Sequence, residues 1–368
     1  FPYRMFYAGF ISLVLLMIAA ALTFKLPFNR VTTLFIIFSI VIFVSGFING
    51  SSLPETLKFL RFVATPFLMY YLVKSYLNTD NIKKVVNLSI LLAQVQFPII
   101  IFQKIFYEKL IIFSSQSASK TDFDFGTFYW KDDASMSLFL IFIIIFLLFD
   151  HQNNWFIKRK GFKIIWFSIT VFLSNAIMGH FVLGAVLIYY ILRNVRIKSI
   201  IKIAGILGTV TFVFFSTGYI KVWVSNVDPI IDQILFRDQG DAETFLRGGY
   251  SRNAAVLYYI SRPPKILGDG PSRYFDPTTG IHILGNMGQV FIHYAEVGIL
   301  GMLLAYMILF SIPGQKLRSS KKFPMFFAIC CFTITSSVMS DASMMFAYTI
   351  FSSTNLISVK KRRELLSV

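Results

Sequence analysis

Read from end to end, the chain is a succession of apolar runs separated by short polar or basic connections. A helix needs ~20 apolar residues to cross the ~30 Å hydrocarbon core of a bilayer. Runs near that length, some a little shorter, fall at about 6–24, 31–48, 57–73, 85–105, 134–149, 163–178, 180–192, 200–219, 286–311, 323–340 and 342–357. This pattern predicts an all-α fold: a polytopic membrane helix bundle with about eleven visible spans, forming one transmembrane domain over 1–368. The chain opens FPYRMF without an initiator Met, and the alternation of loops places Phe1 outside. One further span is therefore expected upstream, giving about twelve in full. The pair 163–178 and 180–192 admits two readings: Ser174-Asn175 and Gly179-His180 form either a tight outer turn or a break in a re-entrant hairpin.

Two connections on the expected outer side are long, at about 106–133 and 220–285, and the second precedes the last three spans. Long loops in a compact bundle are usually functional or disordered. The larger one is expected to be partly helical, because Ser251 suits an N-cap for a helix Arg252–Ile260 that Arg262-Pro263-Pro264 would end. Upstream of it, Ile230, Ile231, Ile234 and Leu235 recur at helical spacing, which suits either a membrane-surface stretch or packing on the bundle.

Composition sharpens the picture. With 56% hydrophobic residues and a mean hydropathy of +0.67, the chain is too apolar for a soluble globule. A net charge of +17 invites a polyanionic partner, but the charge is not spread like a nucleic-acid surface. Most of it sits in KLPFNR, KSYLNTDNIKK, HQNNWFIKRKGFK, RNVRIK, GQKLRSSKK and the KKRRE tail, all on one side of the predicted topology, while the remainder is nearly balanced. This is the positive-inside signature, so no nucleic acid is expected as a partner; the bilayer is. Cys330 and Cys331 are adjacent in an apolar run, which suggests neither a disulfide framework nor a metal site. No HExxH, P-loop or GxSxG pattern appears, and neither metal nor cofactor is expected.

Candidate chemistry concentrates in 245–301, which holds Arg247, Arg252, Arg262, Arg273, His282 and His293. Guanidinium groups fork onto phosphate oxygens, so Arg247, Arg252 and Arg273 beside a membrane suit a lipid-linked pyrophosphate. The competing reading pairs them with Asp238, Asp241, Glu243, Asp269 and Asp276 of the same charge-balanced loop. Arg61 sits inside a span, where a charge is costly; it marks a functional site, snorkels outward or pairs with Glu296. His282, at the mouth of a span, suits a general base near neutral pH, or is an ordinary loop histidine. Gly268-Asp-Gly270-Pro reads as a turn.

Arg252 with its apolar helix, Pro264, Ile266-Leu-Gly-Asp-Gly270 and Glu296-Val-Gly-Ile-Leu-Gly301 together resemble the O-antigen polymerase and ligase superfamily. Phe125-Gly-Thr-Phe128 resembles that superfamily's G-x-F stretch. The resemblance implies a metal-free glycosyltransferase of the bacterial inner membrane, with its active site facing the periplasm. Its donor and acceptor would be polyprenyl-pyrophosphate-linked oligosaccharides, and a chain-length regulator is a candidate partner. In this reading His282, Arg252 and Glu296 are catalytic, with Asp269 and Asp276 as other candidate bases. Arg61, Arg247, Arg273, Asn286, Gly268, Gly270 and Tyr250 bind substrate. The ligase branch has a His-Asn pair about nine residues before the matched Glu, where this chain has Met287-Gly288. That departure favours a polymerase over a ligase. A flippase or transporter of the lipid-linked unit is the alternative from another class, disfavoured because no internal repeat is seen.

Overall fold

A computed structural model of the chain describes residues 29–76, 79–112, 126–128, 133–149, 159–174, 176–194, 263–273, 288–313, 321–336 and 338–352. Every regular element among them is helical: α1 (Arg30–Ile48), α2 (Leu53–Tyr76), α3 (Thr79–Ile105), α4 (Tyr107–Ile112), α5 (Asp133–Phe149), α6 (Lys160–Leu173), α7 (Ile177–Asn194), α8 (Gln289–Ser311), α9 (Lys322–Thr335), a 3-10 turn (Val338–Ser340) and α10 (Ala342–Ser352). Arg30–Ile48, Asn81–Ile105 and Gln289–Ser311 are long and apolar enough to cross a membrane, and the bent pair Leu53–Leu60 and Ala64–Lys74 in α2 would add a fourth. Ala134–Phe149, Ile177–Arg193, Lys322–Thr335 and Ala342–Ser352 are apolar but shorter. Helix therefore occurs at every expected run except 6–24 and 200–219, which lie outside the described residues, as does most of the loop 220–285.

The ends of the elements follow local chemistry. Asn29 caps α1, its side-chain oxygen accepting the Thr32 amide at 3.1 Å. Ser52 and Glu55 form a capping box at the start of α2: the Ser52 amide donates to Glu55 Oε2 at 2.7 Å, and the Glu55 amide to Ser52 Oγ at 3.4 Å. Pro66 lies inside α2, where its ring displaces the carbonyl four residues back, and the helix bends by 45° between Leu60 and Ala64.

The core is organised around α5. Every residue from Ser135 to Phe149 is buried, so this helix is enclosed on all sides, as an element apolar all round should be. It packs on α6, α7 and α9, and Phe142 and Phe146 meet Tyr348 and Phe351 of α10 at ring distances of 5.6 and 5.4 Å. Large apolar side chains on α1, α3 and α6, such as Ile40, Leu88 and Ile165, point outward, as a lipid-facing surface would require.

Antiparallel packing sorts the two ends of the bundle. At one end the start of α1 meets the end of α2 (Asn29 Nδ2 to Tyr70 Oη, 3.5 Å), Tyr189 of α7 meets Phe149 of α5 and Phe323 of α9, and Lys322 covers the Phe310 ring of α8 at 4.1 Å. Arg30, Lys74, Arg193, Lys321 and Lys322 thus share a basic end. The opposite end gathers the close of α1, the starts of α2, α5, α8 and α10, and most of the buried polar side chains.

Two boundaries differ from expectation, and a third is made more definite. α6 and α7 are separate helices, and His180 Nε2 lies 3.1 Å from the carbonyls of Val171 and Phe172 at the end of α6. The run 323–340 is not one helix, since Ser336 is extended and a 3-10 turn follows. The run 286–311 is broken at Gly298, for the reason given below.

Because α5 is the enclosed element, Phe142→Ala should cost on the order of 3 kcal/mol, while Ile165→Ala on the outward face of α6 should cost well under ~1. Thermal midpoints of the purified protein in one detergent check this. Equal losses for both would contradict the central position of α5.

Candidate functional site

At the polar end α8 is opened by a segment from elsewhere in the chain. In an unbroken helix the amides of Ile299 and Leu300 would donate to the carbonyls of Ala295 and Glu296. At Gly298 the backbone takes φ 72°, ψ −171°, a conformation reserved for glycine, and both of those bonds are lost. The strap 263–273 fills the opening. Asp269 and Gly270 donate their amides to the Ala295 and Glu296 carbonyls at 2.8 and 3.0 Å. Ile299 and Leu300 donate to the Lys265 and Ile266 carbonyls at 3.1 and 3.3 Å. Two helical bonds are exchanged for four between helix and strap.

The approach is close enough to demand glycine on both sides. A Cβ on Gly268 would lie 2.5 Å from the Glu296 carbonyl carbon, and one on Gly298 would lie 2.3 Å from the Ile266 oxygen. Gly268 and Gly270 also have φ of 71° and 108°, so the GDGP turn uses both the freedom and the small size of glycine.

Side chains fasten the strap from three directions. Ser45 Oγ, near the end of α1, donates to the Leu267 carbonyl at 2.6 Å and to the Glu296 carbonyl at 3.3 Å. Glu296 is fully enclosed, and its Oε2 accepts the Ser272 amide at 2.8 Å. Ser272 Oγ donates to the Glu55 carbonyl in the first turn of α2 at 2.9 Å. Lys265 pairs with Asp269 along the strap. Arg273 follows at the exposed rim, within electrostatic reach of the exposed Glu55 carboxylate. Together these give a rigid, non-helical platform at the polar end, carrying a cation on its rim and a carboxylate beneath it.

Two further polar features line this end. Gly126-Thr127 is gripped by amide side chains of α3: Gln103 Nε2 donates to the Gly126 carbonyl and its Oε1 accepts the Gly126 amide, both at 2.9 Å. Gln96 repeats the pattern one residue on, accepting the Thr127 amide at 2.8 Å and donating to Thr127 Oγ1 at 2.7 Å. The Gly-Thr-Phe stretch is thus bonded into the bundle as an extra backbone partner would be. Gln289, at the start of α8, accepts the Met339 amide at 2.7 Å and so joins α8 to the break between α9 and α10.

Of the residues expected in a site, Gly268, Gly270, Arg273 and Glu296 come together here. Arg247, Tyr250, Arg252, His282 and Asn286 lie outside the described residues, and Arg61 lies on α2 with its side chain outside them. Sequence reasoning did not find Ser45, Ser272, Gln96, Gln103 or Gln289. For Gln96 and Gln103 a signal existed: two amides about two helical turns apart in an otherwise apolar run. For Ser45 and Ser272 there was none. Among the described residues no group of three or more His, Cys, Asp or Glu side chains comes together as a metal site would require. No protein-family model matches the chain, and no curated protein matches it significantly.

The interlock predicts an ordering of glycine substitutions. Gly298→Ala combines ~1–2 kcal/mol of backbone strain with displacement of the strap and its bonds at ~1 kcal/mol each, so it should cost at least ~3 kcal/mol. Gly50→Ala, with φ 70° and open space around a Cβ, should cost only the ~1–2 kcal/mol of strain. Thermal midpoints of the two variants should separate accordingly. If they fell together, the close approach of strap and helix would be wrong.

Proposed function

We propose that this chain is a membrane glycosyltransferase that polymerises polyprenyl-pyrophosphate-linked oligosaccharide units into a surface polysaccharide. The proposal includes the finer topology: about twelve spans in full, in a bacterial inner membrane, with the polar end facing the periplasm and the 220–285 loop above it. The observation that supports it is the strap. It anchors Arg273 on the rim of the bundle, and in the sequence it lies directly between Arg252 and His282. A reaction whose leaving group is a lipid pyrophosphate needs its cations at headgroup level on a fixed base, and that is what such a platform supplies.

In this mechanism a hydroxyl oxygen of the incoming unit's terminal sugar attacks the anomeric carbon of the growing chain. The bond from that carbon to the pyrophosphate oxygen breaks, and the electron pair leaves with the pyrophosphate. Arg252, with Arg247 and Arg273, holds the departing charge, while Arg61 serves the substrate from α2. His282 takes the hydroxyl proton. Glu296, enclosed beneath the strap, acts as a positioning residue through Ser272 rather than as a base open to substrate. Tyr250, Asn286, Gly268 and Gly270 shape the surface that the sugars meet. No metal or nucleotide sugar enters the scheme.

The deciding experiment is a gel of surface glycan from cells lacking the gene. Loss of the ladder, with one repeat unit still attached to its acceptor, is the expected result. Loss of every unit, with long chains stranded on the lipid carrier, would mean a ligase; units held on the inner leaflet would mean a transporter. In complemented cells Arg252→Ala should abolish polymer at normal expression. Polymer of normal length would remove that arginine from the clamp.

A further inference from the structure

The face of α8 that carries Glu296 continues toward the helix start as a polar seam. Gln289, His293 and Glu296 stand at i, i+4 and i+7, so they lie one above another on one side of the helix, and all three are buried. His293 is 1% exposed and held between the rings of Phe38 and Phe59, at centroid distances of 6.0 and 5.6 Å. Neither ring offers a hydrogen-bond acceptor in its plane. The Nε2 atoms of Gln289 and His293 are buried without a partner among the described residues, as is Ser51 Oγ, which a Cβ on Gly270 would approach to 2.7 Å. The unsatisfied buried side-chain atoms among the described residues are these three, and each lies on the α1–α2 connection or on this face of α8.

Buried polar atoms are costly to leave unpaired, and inside a membrane bundle polar side chains usually face a wet cavity or each other. A dry aromatic contact would be made better by Phe than by His at 293, and a dry helix start better by Leu than by Gln at 289. Donors and acceptors placed on one inward line would be satisfied by a polar group lodged between them. A small group that both donates and accepts would suit the amide of Gln289 and the ring nitrogen of His293.

We propose that Gln289 and His293 form a hydroxyl-binding seam inside the bundle, reaching from the polar end to the level of Glu296. The hydroxyl comes from internal water or from a saccharide that enters the seam. The seam's existence does not rest on the proposed glycosyltransferase activity; only the choice between these two sources does.

Thiol accessibility tests it. In a background with Cys330→Ala and Cys331→Ala, single substitutions Gln289→Cys, His293→Cys and Ala295→Cys are introduced, and the purified protein is held in nanodiscs that leave both faces open. A small neutral reagent, methyl methanethiosulfonate, should modify positions 289 and 293 at least tenfold faster than position 295, which is buried about 100° round the helix from Glu296. Equal, slow modification at all three would overturn the seam. A second variant guards against misfolding of the cysteine forms: His293→Phe should lower the thermal midpoint, whereas an unchanged or raised midpoint would show a dry site and overturn the proposal. The source is then read in membrane fragments from cells that make the lipid-linked saccharide and from cells blocked in its first step. Slower labelling at 293 in the former assigns the hydroxyl to saccharide and equal labelling assigns it to water; either supports the seam.

Discussion

The structure depends on how the backbone of α8 is satisfied where it opens. In an apolar bundle an unpaired amide or carbonyl costs several kcal/mol, so a helix cannot break unless something takes the freed groups. At Gly298 the groups freed are the Ala295 and Glu296 carbonyls and the Ile299 and Leu300 amides, and the strap takes all four. The exchange needs backbones nearly in contact, which is why glycine stands at 268 and at 298. It also explains Ser45, whose hydroxyl is shared between the carbonyls of Leu267 and Glu296 and so bridges the two partners of the interlock. Break, strap and α1 form one cooperative unit in which no member is satisfied without the others.

From that unit the rest of the polar end takes its order. The strap leaves the opening and ends at Ser272, whose amide and hydroxyl go to Glu296 and to the Glu55 carbonyl, tying α8 to α2. A carboxylate buried in a membrane bundle is tolerable when hydrogen bonds compensate its lost hydration, and the Ser272 amide is one such bond. The exposed pair of Arg273 and Glu55 adds little to stability at a screened surface, so Arg273 is held by its backbone rather than by its charge. A cation fixed in this manner keeps its guanidinium available to an anion from solution.

Much of this was legible in the amino-acid pattern, because apolar runs of bilayer length report burial directly. Asn29 and Ser52 follow capping chemistry that is local and therefore readable. The GDGP turn was readable as a turn, and its glycines do take positive φ. Its partner was not, since an interlock between residues 268 and 298 is a contact of two backbones, which leaves no periodicity and no side-chain signature. For the same reason the strap looked like part of a loop outside the bundle, when its backbone in fact completes a helix inside it. Ser45 illustrates the limit: one hydroxyl in an apolar helix is as often bonded back to its own turn, as Ser39 is to Phe35. The α9–α10 break was hidden because FTITSSVM (332–339), with its extended serine and 3-10 turn, sits between two strongly apolar stretches.

A broken helix in a membrane bundle is also the hallmark of secondary transporters, so the interlock bears on the choice between transferase and transporter. In a transporter the half-helix ends are left open toward a cavity, where amides meet an anionic substrate and unwound carbonyls meet an ion. Here two amides and two carbonyls at the break are occupied by the chain's own strap rather than left open to a passing ligand. A transporter must also let one half of the bundle rock against the other around that point. The strap instead ties α8 to α1 through Ser45 and to α2 through Ser272, across the joint that would have to move. A break sealed in this way stiffens one end of the bundle. That is a liability for alternating access, and it would suit the proposed transferase, whose pyrophosphate must be held still during reaction.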